Sequence, residues 1–348
     1  MQKKAFSFFH NNRASLIVLF ALVLLPFIVG LFEGASPIVV WENQGGISKF
    51  VEGLGIEIFI LALYALSYDL IFGVTGLLSF GHAMFFAVGA YLTGIALKSF
   101  ALSLPAVIGL VFLAAILQAL LFGLVLPRVK GITFALVTLG MASMFHIIVT
   151  SSELGNYTGA DVGLQGVMVP SFINPANERL RFYFVALVVL ILIYLLYQRF
   201  VNSPTGRVCV AIRENEGRAK MLGYNTFAFK LAALMLSSFA AALAGVLHAL
   251  YQPIVSPNVA DLSFTVTALL IVLIGGVGTL SGALIGAFVY RLLDFGLRRY
   301  IGENASFITG TIYVAFVLFI PYGMVGTWRL KSFRVAQGWR RLLAAFKT

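Results

Sequence analysis

The sequence predicts an all-α bundle of transmembrane helices, and three observations carry this prediction. First, 60% of the 348 residues are hydrophobic and only 11% are charged, whereas a soluble domain has about 25% charged residues. Second, several apolar runs reach the roughly 20 residues that a helix needs to cross a bilayer. Third, glycine and alanine are interspersed through these runs, as in helices that pack closely within a membrane. The short alternating segments of a transmembrane β-barrel are absent from the sequence.

Ten apolar segments are the predicted spans, with both chain ends on the same side. The first follows Lys3 and Lys4 and is too long for the core of a signal peptide, so we expect it to be retained. The eighth and ninth are short or interrupted by glycine, which is compatible with one of them being re-entrant. We expect a single domain over 1–348. The predicted spans are 15–33, 54–73, 82–98, 104–126, 132–150, 181–199, 228–250, 263–275, 282–298 and 306–327.

The net charge of +11 is explained by the tendency of basic residues to gather on the cytoplasmic side of membrane proteins. The segments that this topology places in the cytoplasm hold most of the 24 Lys and Arg residues, including those of a basic tail at 329–348. We therefore expect both termini in the cytoplasm and no nucleic-acid partner. The single cysteine, Cys209, excludes an internal disulfide and a thiol metal cluster.

Two segments on the external side of this topology, 33–53 and 151–180, are long and rich in Gly, Asn and Pro. Such composition is typical of loops. They are either plain connectors or a surface for an external partner, and the sequence leaves both interpretations open.

The longest water-facing run between spans is 204–225, here called the charged loop, within a predicted cytoplasmic segment at 200–227. Its acidic residues and Asn suit a helix start, and its Gly suits a helix end. A short amphipathic helix here would insert into a groove of a soluble partner or lie on lipid, and the mixed charge favours the protein partner. The candidate contact residues are Arg213, Glu214, Asn215, Glu216, Arg218 and Gly223.

Two glycine-rich segments, 75–91 and 275–282, lie where neighbouring spans meet. Irregular backbone at membrane depth is tolerated only inside the protein or along a wet cavity, so the first segment predicts a break near a permeation path. For His82 alone, a satisfied buried histidine is the favoured interpretation. The second segment lacks the Gly-Lys-Ser/Thr of a phosphate loop and allows bending and close packing. The candidate path residues are Ser79, Gly81, His82, Phe85, Phe86, Gly275, Gly276 and Gly278.

Ionisable residues within spans are costly, and each prompts a functional hypothesis. Asp69 lies near the cytoplasmic end of the second span. Arg291 and Asp294 are three positions apart on one helix face, so we expect them to pair, with a proton relay as the alternative. The sequence shows no nucleophile elbow, no HExxH and no Walker A pattern. We therefore expect no catalytic residue, no metal site and no cofactor bound by this chain.

Four segments together resemble the membrane permease subunits of the bacterial branched-chain amino-acid ABC importers, specifically the M-type subunit, whose relatives include urea and amide importers. GLLSFGHAMFFAVGAY at 76–91 is similar to the family's Leu-Ser-x-Gly-His-Ala segment, and ALVTLGMASMF at 135–145 with TGADVGL at 158–164 to its central span and following loop. The segment at 207–225 resembles its cytoplasmic coupling loop, and 256–287 its Gly-Gly-x-Gly-Thr region. The resemblance runs from about residue 54 to 325.

The resemblance implies a ten-helix permease of the ABC importer type in a bacterial cytoplasmic (inner) membrane. It implies a homologous second permease subunit, two cytosolic ATPase subunits that bind ATP-Mg, and a periplasmic substrate-binding protein as partners. The charged loop would be the coupling element against an ATPase.

Departures from the family's pattern leave the substrate open. Asp69 stands where the family commonly has Asn, Ala160 replaces the second Gly of a Thr-Gly-Gly loop, and His146 stands where Arg is common. We expect a branched-chain or related amino acid, with urea or a short amide as the alternative. From a different class, a secondary transporter driven by an ion gradient would depend on Asp69 or Asp294. A membrane-embedded enzyme is disfavoured because the sequence lacks a catalytic cluster.

Overall fold

A computed structural model describes residues 13–34, 36–41, 46–302, 305–320 and 322–328. The predicted basic tail at 329–348, Lys3 and Lys4 lie outside the described residues. Contacts divide the chain into two compact units. The first comprises the described residues up to Glu57 with Pro170–Val188, and the second comprises Ile58–Val169 with the described residues from Val189 onward. The prediction of a single domain over 1–348 stays a prediction.

The described residues form a succession of α-helices and one antiparallel pair of two-residue strands. The helices are α1 (Arg13–Phe32), α2 (Pro37–Trp41), α3 (Ile47–Asp69), α4 (Ala83–Lys98), α5 (Leu104–Val125), α6 (Ile132–Thr150), α7 (Gly155–Thr158), α8 (Arg179–Asn202), α9 (Pro204–Glu214), α10 (Glu216–Met221), α11 (Thr226–Tyr251), α12 (Leu262–Gly275), α13 (Leu280–Ile301) and α14 (Ala305–Phe319). Strands β1 (Leu164–Gln165) and β2 (Ile254–Val255) pair antiparallel, with Leu164 opposite Val255.

The apolar helices confirm the predicted all-α membrane bundle. Among the described residues, six helices are long and apolar enough to cross a membrane: α3 with the turn that follows it, α5, α6, α8, α11 and α13. Shorter apolar helices lie at Phe20–Phe32, Ala83–Lys98, Leu262–Gly275 and Phe307–Phe316, which are the other predicted span positions. At 14 residues, α12 is about 21 Å long and is shorter than the hydrocarbon core of a bilayer.

In the first unit, a proline in α1 determines one tertiary contact. Pro26 lies inside the helix and has no N–H, so it leaves the carbonyl of Leu22, four residues earlier, without its helical donor. The Tyr183 hydroxyl donates to that carbonyl at 2.7 Å. Ser48 likewise donates to the Pro26 carbonyl at 3.0 Å. The carbonyl released by the proline is thus satisfied by a side chain of α8, and Ser48 of α3 adds a further hydrogen bond to α1.

In the second unit, α11 is the central helix and packs chiefly on α4 and α5. Two glycines bring α4 and α11 into backbone contact: a Cβ on Gly89 would strike the Ala242 carbonyl, and a Cβ on Gly245 would strike the Phe86 carbonyl. Small residues at membrane helix interfaces permit this kind of approach. Ser238 adds a hydrogen bond from α11 to the Ala115 carbonyl of α5 at 2.6 Å.

The loop after α6 contains a non-glycine residue with a left-handed backbone. Ala160 has φ of +46° and Gly159 has φ of +78°. Ala160 is the position where the resemblance expects a glycine, and only glycine adopts positive φ without steric cost.

We expect Ala160→Gly to stabilise the protein slightly. Removing the left-handed strain gains about 1–2 kcal/mol, and the greater freedom of glycine in the unfolded chain removes about 0.5–1 kcal/mol of that gain. Thermal unfolding in detergent would measure the effect. Ala160→Val is the matched comparison, because a β-branched residue is strained further at this backbone conformation; a Val variant as stable as the Gly variant would contradict the argument.

Candidate functional site

The charged loop folds into two short helices with a break between them. Ser203 caps α9 by accepting a hydrogen bond from the Gly206 amide at 3.2 Å, and Pro204 occupies the first turn, where a missing N–H costs nothing. Asn215 has an extended backbone and its side chain accepts from the Arg218 amide at 2.9 Å, so it caps α10. Gly223 follows α10 with φ of +88°. The helix start and stop in this loop therefore lie where the sequence predicts them.

Glu216 anchors α10 to the start of α11. Its carboxylate contacts the Lys230 ammonium at 2.7 Å and the Lys220 ammonium at 3.2 Å, and it accepts from the Thr226 hydroxyl at 3.1 Å. Partial burial raises the pKa of Glu216, but the hydrogen bonds and charges of Lys230 and Lys220 outweigh burial and lower that pKa to about 2. Glu216 therefore fixes α10 to the start of α11. Sequence reasoning missed its partner Lys230 because Lys230 lies 14 residues away.

The tip of the charged loop presents apolar side chains to solvent. Met221 is 82% exposed and Leu222 is 71% exposed, and Tyr224 is also exposed. Glu214, Asn215 and Arg218 are exposed as well. The sequence analysis selected the charged residues of this surface as contact residues and did not select Met221, although two consecutive large apolar residues in a polar loop were a visible signal.

Arg213 points towards the end of α3. After Asp69 the helix widens into a π-helical turn over Leu70–Val74, and Thr75–Gly81 is irregular backbone, as the glycines predicted. The Arg213 guanidinium donates through Nη1 to the carbonyl of Gly73. The stem of Arg213 rests on Gly76, whose φ is +76°.

The glycine-rich turn between α12 and α13 meets the same point. The Gly278 amide donates to Asp69 Oδ1 at 2.7 Å, and Asp69 is completely buried. Gly276 and Gly278 have φ of +121° and +74°, and Gly275 packs against Gly282. Asp69 and the glycines of this turn, predicted separately, thus lie together.

A cavity of about 230 Å³ opens beside this junction. It is bounded by the irregular backbone after α3, the connection between α5 and α6, and the break between α9 and α10. Its lining residues are Thr75, Gly76, Leu77, Leu78, Val129, Lys130, Gly131, Phe134, Ile212, Arg213, Glu214, Asn215, Glu216 and Lys230.

The residues predicted near a path at the start of α4 are packed inside the second unit. Ser79, His82, Phe85 and Phe86 are completely buried, and a Cβ on Gly81 would strike the Thr138 carbonyl.

His82 hydrogen-bonds Ser67 at 2.8 Å, and its ring lies 5.4 Å from that of Tyr64 and 5.1 Å from that of Tyr68. The favoured interpretation of His82 as a satisfied buried histidine stays a prediction, because Nε2 bonds Ser67 but the buried Nδ1 has no hydrogen-bond partner among the described residues. A role in the path for this group stays a prediction.

Arg291 and Asp294 contact each other at 3.0 Å. Asp294 also accepts from Arg298 at 2.7 Å, an i,i+4 contact that the sequence analysis did not select. The cluster lies in the second half of α13, away from the charged loop in sequence.

The fold defines the class first: a chain with apolar helices at all ten predicted positions is a multi-pass α-helical membrane protein. Comparison with known families then identifies it. The family model for the branched-chain amino acid transport system permease component matches residues 51–321. The chain belongs to this family, and it is therefore a transport permease component.

Individual relatives agree with this assignment. The chain is 26% identical over 290 residues to the high-affinity branched-chain amino acid transport system permease protein LivM of Escherichia coli K12, covering 76% of this chain and 68% of that protein. It is 26% identical to a probable LivM of Methanocaldococcus jannaschii, covering 74% and 85%. It is 24% identical to LivH of Escherichia coli K12, covering 76% and 91%. No solved structure gave a significant match.

The anchoring of α10 should depend on pH through Glu216. Because the folded pKa of about 2 lies below the usual value of 4.5, the stabilisation is full above pH 4.5 and is lost as the pH falls towards 2. Hydrogen exchange of the α10 amides, corrected for intrinsic rates, should show this loss of protection. Glu216→Gln should give weak protection at every pH, whereas Glu214→Gln should keep the pH dependence; an unchanged profile in Glu216→Gln would refute the anchor.

Proposed function

We propose that this chain is the M-type permease subunit of an ATP-driven importer for branched-chain or related amino acids, in a bacterial cytoplasmic membrane with both termini inside. It works with a homologous second permease subunit, a periplasmic substrate-binding protein and two cytosolic ATPase subunits. ATP-Mg binds to the ATPases and not to this chain. The family membership and the printed names of the relatives support the substrate class.

The apolar tip of the charged loop carries this proposal. Large apolar side chains on a water-facing loop mark a protein interaction site when they lie together, and Met221 and Leu222 at the end of α10 are 82% and 71% exposed. The Glu216 anchor holds the tip in place. A rigid helix end with an apolar tip and charged flanks suits insertion into a groove of a soluble ATPase.

ATP hydrolysis would act on the permease through this contact. A partner shifts a conformational equilibrium only as far as it binds the two states differently. The ATPases would therefore have to move the charged loop between an inward-facing and an outward-facing state, and the substrate would pass as the states alternate.

Reconstituted uptake tests this function directly. Vesicles would contain this chain with or without its candidate second permease, ATPases and binding protein, with ATP supplied on the ATPase side and ion gradients collapsed. We expect uptake of leucine, isoleucine or valine only with the full set and ATP. Uptake of urea or a short amide by the full set would show that the substrate is not an amino acid. Gradient-driven uptake by this chain alone would show that it is a secondary transporter.

Replacing the apolar tip should uncouple the assembly. Met221→Ser with Leu222→Ser removes two apolar side chains from the proposed ATPase contact without disturbing the Glu216 anchor. We expect the ATPases to co-purify more weakly and ATP-dependent uptake to fall about tenfold or more, as for the loss of interface anchors.

Val210→Ser is the matched control, because Val210 is an exposed apolar residue of α9 outside the tip. Equal losses in both variants would point to a general stability defect. Normal co-purification of the double variant would reject the tip as the docking element.

A further inference from the structure

Three segments that are distant in the sequence are tied together at the end of α3. Arg213 of the charged loop bonds the Gly73 carbonyl, 140 positions away. Asp69 of the same helix end bonds the Gly278 amide at 2.7 Å, 209 positions away. The charged loop, the broken end of α3 and the turn between α12 and α13 therefore share one polar junction.

The local structure explains why these contacts can form. The carbonyls of a last helical turn have no helical donors ahead of them, and the chain after the π-helical turn leaves the helix, so the Gly73 carbonyl is open to a side-chain donor. A Cβ on Gly73 would collide with Asp69 Oδ1 and with the Gly278 amide. Two glycines thus allow the two backbones to approach closely enough for the Asp69 carboxylate to join them, while Arg213 bonds the Gly73 carbonyl.

The junction contains a buried acid beside an arginine. Asp69 is completely buried, and the Arg213 guanidinium bonds the carbonyl of Gly73, four residues further along the same helix end. A Cβ on Gly278 would lie 2.9 Å from Arg213 Nη1 and 2.9 Å from the Gly73 carbonyl oxygen. Arg213 therefore bonds the Gly73 carbonyl and lies close to Gly278, whose amide donates to Asp69. Within the charged loop, Arg213 is exposed but its guanidinium bonds the end of α3, whereas Met221 and Leu222 are exposed at the tip.

We propose that Arg213 is the positioning residue that transmits movement of the charged loop to the broken end of α3, and through Asp69 to the turn between α12 and α13. This inference rests on the proposed function, because it requires an ATPase that moves the loop. A guanidinium presents a rigid fork of donors to the backbone that it bonds, whereas a lysine ammonium is a single point charge on a flexible stem.

The test compares Arg213→Gln and Arg213→Lys with the matched control Arg207→Gln in the complete reconstituted assembly. Arg207 is an exposed arginine of the same helix α9, two turns earlier. We expect Arg213→Gln to keep assembly and ATP hydrolysis while the uptake per ATP hydrolysed falls about tenfold, within the usual range of coupling factors. Arg213→Lys should recover part of the loss, and Arg207→Gln should stay within about twofold of the unaltered protein.

Hydrogen exchange distinguishes this role from a purely structural one. A purely structural role of Arg213 would not produce the exchange pattern that we expect. In the unaltered assembly, trapping the ATPases with nucleotide should change exchange both in α10 and at 275–280. In Arg213→Gln the change in α10 should remain and the change at 275–280 should disappear. Gly278→Ala perturbs the junction from the other side, through its positive φ and the crowding of Arg213, and should also uncouple uptake.

The outcomes separate this inference from the function on which it rests. If the unaltered assembly shows no ATP-dependent uptake, the proposed function fails and this inference fails with it. If the unaltered assembly transports, and Arg213→Gln keeps both the uptake per ATP and the exchange response at 275–280, only the role of Arg213 is overturned.

Discussion

A backbone carbonyl or amide that is released at a helix break within a membrane protein must be bonded by another group of the protein, because the hydrocarbon offers no donors or acceptors. Much of the tertiary structure of this chain follows from that constraint. Pro26 releases the Leu22 carbonyl, and Tyr183 bonds it. At the break after α3, the Gly73 carbonyl is bonded by Arg213. At the start of α4, the Ala83 amide donates to the Thr265 hydroxyl at 2.9 Å.

These bonds also determine which segments stay in register with each other. A side chain that satisfies a backbone group of another helix fixes the relative height of the two elements. Ser237 does this by donating to the Ser67 carbonyl at 2.6 Å, and Tyr91 does it by donating to the Val255 carbonyl at 3.1 Å. Glycine contacts such as that of Gly245 with the Phe86 carbonyl bring the backbones close enough for these short side chains to reach. Close helix packing thus makes these hydrogen bonds possible, and the hydrogen bonds in turn fix how the helices pack.

The sequence predicts the apolar helices well because each span is a local composition signal. The caps of the charged loop are also local, and Asn215 and Gly223 lie in the structure where capping rules place them. The contacts of Lys230 and Arg213 are not local. They join residues 14 and 140 positions apart, and no periodicity in one segment encodes the position of the other.

The predicted path residues show a further limit of sequence reasoning. Glycines and a histidine at a helix break indicate irregular backbone, and the structure has irregular backbone there. They do not indicate whether the side chains face a cavity or the packed interior. His82 and Phe86 are completely buried among other side chains, and that depends on how α3, α4, α11 and α12 pack, which the sequence of the segment alone does not contain.

The charged loop makes three kinds of contact. Together they hold it as a rigid element and not as a flexible connection. The tip meets solvent through Met221 and Leu222, the middle is fixed by Glu216 to Lys230, and Arg213 bonds the end of α3. If the middle were loosely held, movement of the tip would be absorbed by local rearrangement of α10. The ion pair of Glu216 is part-buried, and such pairs are screened less by salt than exposed ones. The anchor therefore keeps the tip and Arg213 in fixed relation, which any transfer of movement from the tip to the membrane helices requires.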